Sequence, residues 1–369
     1  MRFNASTVFM LAPQRHGSNK TQSLLAARHP SLFGPFPPVL RQKFLPLEGA
    51  LGDDLLEAMV VNANLSPRPI CSRGGDLSVP EVLAVMEDRG LPGTVLGIMS
   101  AICLTGAARE NRTDARVLCK SPDNLLFIDE ITRDVEDAVF IHVVRDPRAV
   151  WNSGNNTPRG PQTAHASAMA WKDYHSKVHA LSSRLPIHTL RFEGLLENPE
   201  LHLRKACLFL GIPFEPSMIN AHESLEAKGA AMSSAQLWGN LDKPVQMDRA
   251  NAWERELPQR DIEIVEHVCA DILTKFGYVR SLPLRELEDE DAEVDTDIKV
   301  QAKAAEPRRL QLEHLRQLYS KHDSHLKEKM GGSHEKEYVE HHDDYFVDSH
   351  GELLVDHHDQ KHVDRTEDW

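Results

Sequence analysis

Residues Thr7–Leu25, TVFMLAPQRHGSNKTQSLL, decide the fold. Thr7 to Leu11 is apolar and partly β-branched, a run suited to a buried strand. Pro13 to Lys20 gathers a glycine, a serine, an asparagine and the basic side chains of Arg15, His16 and Lys20. From Thr21, apolar residues return at Leu24, Leu25 and Ala27, as on a helix. A strand, a tight polar loop and a helix in that order point free backbone N–H groups at a phosphate or sulfate. The helix N-terminus adds the positive end of its dipole. The loop lacks the glycine that directly precedes Lys-Thr in a Walker A sequence.

Outward from this stretch, strands and helices alternate. Arg116–Lys120 reads as a second strand, followed by a helix from Asn124 to Arg133. Ala138–Val144 is an uninterrupted apolar run, hence a central parallel strand. It ends in Arg145-Asp146-Pro147-Arg148, after which Ala149–Ser153 turns helical. Ala164–Ser182 reads as a helix, Ile187–Arg191 as a short strand, Pro199–Leu210 as a helix closed by Gly211, and Pro258–Phe276 as a last helix. Between the first two strands lie a Pro-rich loop (His29–Pro38) and a mostly helical insertion at 46–115, with helices at Asp53–Val60, Val79–Arg89 and Thr94–Arg109. Ser78 with Glu81 has the spacing of a capping box. The pattern implies an α/β fold, a central parallel sheet flanked by helices.

Charge separates this body from the C-terminal stretch. From Ser281 onward there are 12 Lys/Arg against 24 Asp/Glu, whereas residues 1–280 hold 30 against 32. A nearly neutral body with an acidic extension offers no basic face for nucleic acid. Cys71, Cys103, Cys119, Cys207 and Cys269 are widely spaced and odd in number, the pattern of buried free thiols in a reducing compartment. No run reaches the roughly 20 apolar residues of a membrane span. A strand beginning by residue 7 leaves no room for a signal peptide, so the expectation is a soluble, cytoplasmic protein.

Arg145 and Ser153 are eight residues apart across a strand end and the following helix. In an open parallel sheet that edge is where ligands sit. Arg offers a planar fork of donors to a phosphate, and Ser adds a neutral hydroxyl. With the first loop gripping a second anion, the pair describes a nucleotide phosphorylated at both ends of its ribose.

Five segments, in order, resemble the sulfotransferases that use 3′-phosphoadenosine-5′-phosphosulfate (PAPS). They are Arg15-His-Gly-Ser; Leu118–Leu126, LCKSPDNLL; Phe140–Ser153, FIHVVRDPRAVWNS; Leu190–Pro199 with Phe209–Pro213; and Trp253 with Phe276-Gly-Tyr278. The resemblance implies a P-loop-type three-layer sandwich that moves a sulfuryl group from PAPS to a hydroxyl or amine, leaving 3′,5′-ADP. It implies that Arg15, Gly17, Ser18 and Asn19 cradle the 5′-phosphosulfate, with Lys20 and Thr21 assisting. It further implies that Arg145 and Ser153 hold the 3′-phosphate and that Lys120 lies near the transferring group. The usual bases of the family are not matched. Pro122 stands where the cytosolic enzymes place a histidine, and Phe36 with its neighbouring prolines stands where protein-tyrosine sulfotransferases place a glutamate. His16 is therefore the leading candidate for base or leaving-group stabiliser, followed by His29 and Asp123. A catalytically silent nucleotide-binding relative and a P-loop kinase or NTPase are the alternatives.

The remaining histidines of the body carry plainer readings: His142 as a core residue in an apolar strand, and His165, His175 and His179 as surface or packing residues on one helix. Trp151 and Trp171 read as core, and Arg191 with Glu193 as ties at the sheet edge. Beyond residue 280 the expectation is an acidic linker (281–303), an amphipathic helix (304–330) and a disordered or helical His-rich tail (331–369). In that tail Val339, Val347, Val355 and Val363 recur every eight residues. The tail suits loose metal binding or a partner rather than a built metal site. The acceptor, whether carbohydrate, lipid, small hydroxyl compound or protein, has no signature in the sequence.

Overall fold

Every residue of strand β1 (Thr7–Leu11) is buried, because the strand is covered on both faces. This is seen in a computed structural model that describes residues 2–35, 44–45, 51–64, 70–71, 75–155, 163–224, 227–229, 231, 241–245, 250–281, 346–347 and 353–354. After β1 come α1 (Ser18–Ala26), β2 (Leu32–Phe33), α2 (Leu55–Asn64), α3 (Val79–Arg89), α4 (Val95–Arg109) and β3 (Arg116–Lys120). Next are α5 (Ile128–Asp134), β4 (Val139–Val144), α6 (Pro147–Gly154), α7 (Ala164–Leu181) and β5 (Ile187–Arg191). The unit closes with α8 (Phe192–Glu197), α9 (Pro199–Leu210), α10 (Trp253–Glu256), α11 (Gln259–Val268) and α12 (Ala270–Leu273).

The five strands form one sheet in the order β2-β3-β1-β4-β5, and every neighbouring pair is parallel. Register places Phe9 between Cys119 and Phe140, and Met10 between Lys120 and Ile141. Strand alternation then sorts two cores. On one face Val8, Met10, Ile141 and Val143 pack with Leu24 and Leu25 of α1 and with Leu203 and Leu210 of α9. On the other, Val144 packs with Trp171 of α7, Val265 of α11 and Phe276. Helix α4 is apolar all round, and each residue from Val95 to Ala107 is buried. The capping box at Ser78 and Glu81 starts α3. All five cysteines are buried thiols outside any disulfide.

Three details depart from the sequence expectation. The helix expected over Asn124–Arg133 begins instead as a 3-10 turn, Pro122–Leu125, with α5 following. Asn124 causes this: its amide donates to the carbonyls of Met10 and Cys119 at 2.8 and 3.0 Å, tying the turn to two strand ends. The helix expected over Pro258–Phe276 breaks at Cys269, whose backbone lies at φ −92 and ψ 3, and ends as a 3-10 turn. Within the Pro-rich loop, Leu32–Phe33 pairs with Arg116 and Val117, too short a strand to leave a pattern.

The chain divides into two units, Met1–Leu287 and Glu288–Trp369. In the second, the described residues Phe346–Val347 and Leu353–Leu354 pair antiparallel. Apart from these and Ser281, the expected linker, helix and His-rich tail lie outside the described residues. Among the described residues no helix is long and apolar enough to cross a membrane.

Candidate functional site

Strands β1 and β4 are neighbours whose connections leave in opposite directions, β1 through α1 to β2 at one edge and β4 through α6 and α7 to β5 at the other. Such a reversal opens a crevice at the carboxyl ends of the strands. The loop after β1 and Arg145 after β4 form its two lips.

Local conformation of the loop is dictated by neighbours. Gly17 caps α1 in the left-handed region, φ 80, and a Cβ there would lie 2.2 Å from the Phe192 ring. Only glycine satisfies both conditions. Arg15, two residues earlier, adopts φ 64 without being glycine, a strain that persists only where the surroundings impose it. Arg145 imposes it in part, donating from Nη1 to the Arg15 carbonyl at 3.0 Å. The Arg15 guanidinium in turn crosses the crevice, donating from Nε and Nη2 to Ser153 Oγ at 3.1 and 2.9 Å. Three residues from two separate stretches of sequence thus meet at one point.

Electrostatically the point is cationic. Burial lowers the pKa of both guanidinium groups; for Arg145 the Glu193 carboxylate opposes the shift and Arg15 adds to it. Glu193 accepts from the Asp146 amide at 2.9 Å and from the Tyr278 hydroxyl at 2.8 Å, and burial raises its own pKa. Arg145 also lies over the Phe192 ring, 5.3 Å from its centroid, and its carbonyl accepts from Trp171 Nε1 at 2.8 Å. Two like charges held together in a partly desolvated crevice are stabilised by an anion.

Helix α1 contributes the remaining donors. Its first turn has no acidic residue and no side-chain cap, leaving N–H groups at the loop. At the end of β3, Lys120 donates from Nζ to Asn19 Oδ1 at 2.5 Å, so β3 and α1 join beside the loop. Lys20 and Thr21 turn elsewhere. Lys20 Nζ donates to the Lys243 carbonyl at 2.5 Å, and burial pushes its pKa down to about 8. Thr21 is buried and donates to the Gly17 carbonyl at 3.1 Å.

His16 faces inward. It is 2 % exposed; its Nδ1 lies 2.7 Å from the Gln14 carbonyl and its Nε2 3.0 Å from His175 Nε2. Burial, with the Arg145 charge as a lesser cause, takes its pKa down to about 4. His29 is likewise engaged at both nitrogens, with the Pro213 carbonyl and the Ser31 amide. Asp123, buried just beyond Lys120, accepts from the Ser121 hydroxyl, and burial together with the lesser effect of Asp123 raises the pKa of the Tyr174 phenol. Sequence reading put His142 and Trp171 in the core, where they lie, but left His175 as a surface or packing residue, and it is fully buried. Its signal lay in the i, i+4, i+7 spacing of Trp171, His175 and Val178, all buried on one face of α7.

Comparison with known proteins bears on the family and the fold. The profile of the Sulfotransferase family matches residues 7–216, more than half of the chain. Protein-tyrosine sulfotransferase 1 of Danio rerio is 24% identical over 295 residues, covering 70% of this chain and 80% of that protein. The solved sulfotransferase domain from the curacin biosynthetic pathway shares the fold with a TM-score of 0.50 at 19% identity, over 77% of this chain and 100% of that one. With a parallel sheet, a cationic crevice at its switch point and a family profile spanning both lips, the chain belongs to the sulfotransferase family.

Proposed function

We propose that the protein transfers a sulfuryl group from PAPS to a hydroxyl or amine acceptor. The observation that supports this best is the meeting of Arg15, Arg145 and Ser153, since a donor with phosphates on both sides of its ribose needs cations from two strand ends at once. Gly17 lets the loop pack directly on Phe192, where any Cβ would intrude. When bound, PAPS supplies the activated sulfuryl group.

In this reading Arg145 and Ser153 hold the 3′-phosphate. Arg15, with the backbone of Gly17, Ser18 and Asn19, holds the 5′-phosphosulfate, and Lys20 and Thr21 support the helix start. Lys120 supplies a cation for the negative charge that develops as the sulfur–oxygen bond breaks. We assign His16 to shaping the loop, because both of its ring nitrogens are already engaged within the protein. Proton removal from the acceptor falls to Asp123, a carboxylate in the turn that Lys120 leads into. The relative from Danio rerio makes a tyrosine-bearing peptide the first acceptor to try; carbohydrate, lipid and small hydroxyl compounds complete the panel.

Calorimetry with 3′,5′-ADP tests the donor site directly. Saturable binding is expected, and none at millimolar nucleotide removes the proposal. Transfer of label from sulfur-labelled PAPS to one member of the panel then separates an enzyme from a silent binder.

A further inference from the structure

Four polar side chains link β5 to the loop through the protein interior. Thr189 Oγ1 lies 3.1 Å from His142 Nδ1, His142 Nε2 lies 2.8 Å from His175 Nδ1, and His175 Nε2 lies 3.0 Å from His16 Nε2. The chain ends where His16 Nδ1 lies 2.7 Å from the Gln14 carbonyl. His142 and His175 are fully buried, and Trp171 and Phe276 pack against the His175 ring.

A carbonyl oxygen can only accept, so the proton on His16 sits at Nδ1 and its Nε2 is an acceptor in the neutral ring. His175 must then donate from Nε2, which makes its Nδ1 the acceptor for His142 Nε2–H. His142 Nδ1 in turn accepts from the Thr189 hydroxyl. One backbone carbonyl therefore fixes three tautomers in series, with every ring nitrogen used. An extra proton on His16 or His175 would set two N–H groups face to face, whereas one on His142 Nδ1 would meet the Thr189 hydroxyl, which can turn to accept.

The surroundings favour the neutral state as well. Arg145 is the cation acting on His16, while His16 acts on His142 and His175, and His142 acts on His175. Burial is the main cause that lowers all three pKa values, to about 4 for His16 and about 3 for His142. Tyr174 on α7 is a further titratable neighbour, its ring centroid 5.4 Å from that of His175.

We propose that His175 and His142 are positioning residues, which through this one-way chain hold His16, and with it the Arg15–Gly17 loop, in the shape that lays Arg15 on Ser153. A relay of protons to the acceptor is not what the chain builds, since it terminates on a carbonyl. The consequence for cofactor binding rests on the PAPS reading; the chain and its hold on Arg15 do not.

The test uses the full-length protein as wild type, His175→Gln and His175→Phe. Glutamine keeps one donor and one acceptor; phenylalanine keeps the volume and neither. Nitrogen-15 NMR of labelled histidine is expected to show three rings neutral from pH 8 to 5, His16 carrying its proton on Nδ1 and the other two on Nε2. A titration above pH 6 in any of them, or His16 protonated at Nε2, overturns the chain. The Arg15 Nε–H resonance, slow to exchange in wild type, is expected to persist in the Gln variant and to exchange fast in the Phe variant. Affinity for 3′,5′-ADP is expected to fall about tenfold in the Phe variant, the size of one buried hydrogen bond, and to hold within about threefold in the Gln variant. Equal Arg15 protection in the two variants, with folding intact by thermal unfolding, overturns the positioning role. If wild type shows the NMR signatures but binds no nucleotide, the PAPS reading fails and the chain stands.

Discussion

Acidification should unfold this protein early, and the reason is the three buried histidines. In the unfolded chain each takes a proton near pH 6.5. In the folded chain His16 waits until about pH 4 and His142 until about pH 3, with His175 lowered as well. Between those limits the unfolded state binds more protons, so stability falls as pH falls and is regained above pH 6.5. Each proton is worth about 1.4 kcal/mol per pH unit, so three give roughly 4 kcal/mol per unit and about 5 kcal/mol between pH 6.5 and 5. Against a total of roughly 5–15 kcal/mol for a typical domain, that is a large share. Urea unfolding at pH 7, 6 and 5 should show the midpoint dropping steeply, and His175→Gln should remove about a third of the slope. A midpoint that stays level from pH 7 to 5 would refute the neutral assignment of these rings.

Arg145→Ala should weaken 3′,5′-ADP binding by about 100-fold, the order of a charge-assisted contact to a phosphate, with the loss read by calorimetry. Lys120→Ala should instead lower kcat with little change in the KM for PAPS; the reverse split would misplace Lys120. Asp123→Asn should suppress turnover at every pH while leaving nucleotide affinity intact, and full activity in this variant would return the base to another residue. Gly17→Ala combines a left-handed backbone at φ 80 with a Cβ 2.2 Å from Phe192, costing about 2–5 kcal/mol. Adding Phe192→Leu should recover the packing share of that loss in urea unfolding.

Much of the sheet was legible because buried parallel strands read as apolar runs, as β1, β3 and β4 do, while the short edge strand β5, IHTLR, buries only Leu190. β2 was not, since two residues carry no alternation and its position is set by pairing with β3. The start of α5 was misplaced because Asn124 spends its side chain on two distant carbonyls, a tertiary bond that helix propensity cannot anticipate. At the site, Arg15, Arg145 and Ser153 were readable from residue type and spacing. The facing of His16 was not: a histidine beside a glycine in a basic loop looks like a catalyst, and only His175, 159 residues away, shows which way the ring turns. Glu193 and Tyr278 were read as a sheet tie and a helix end, whereas their mutual hydrogen bond supports the backbone beside Arg145.

That last contact has a bearing on how the molecule is made. Tyr278 secures Glu193, and Glu193 receives the Asp146 amide at the base of α6. A ribosome releases the loop after β1 first and Tyr278 more than 250 residues later. The rim of the crevice then gains its final brace only after most of the first unit has been made, although the loop after β1 is made long before.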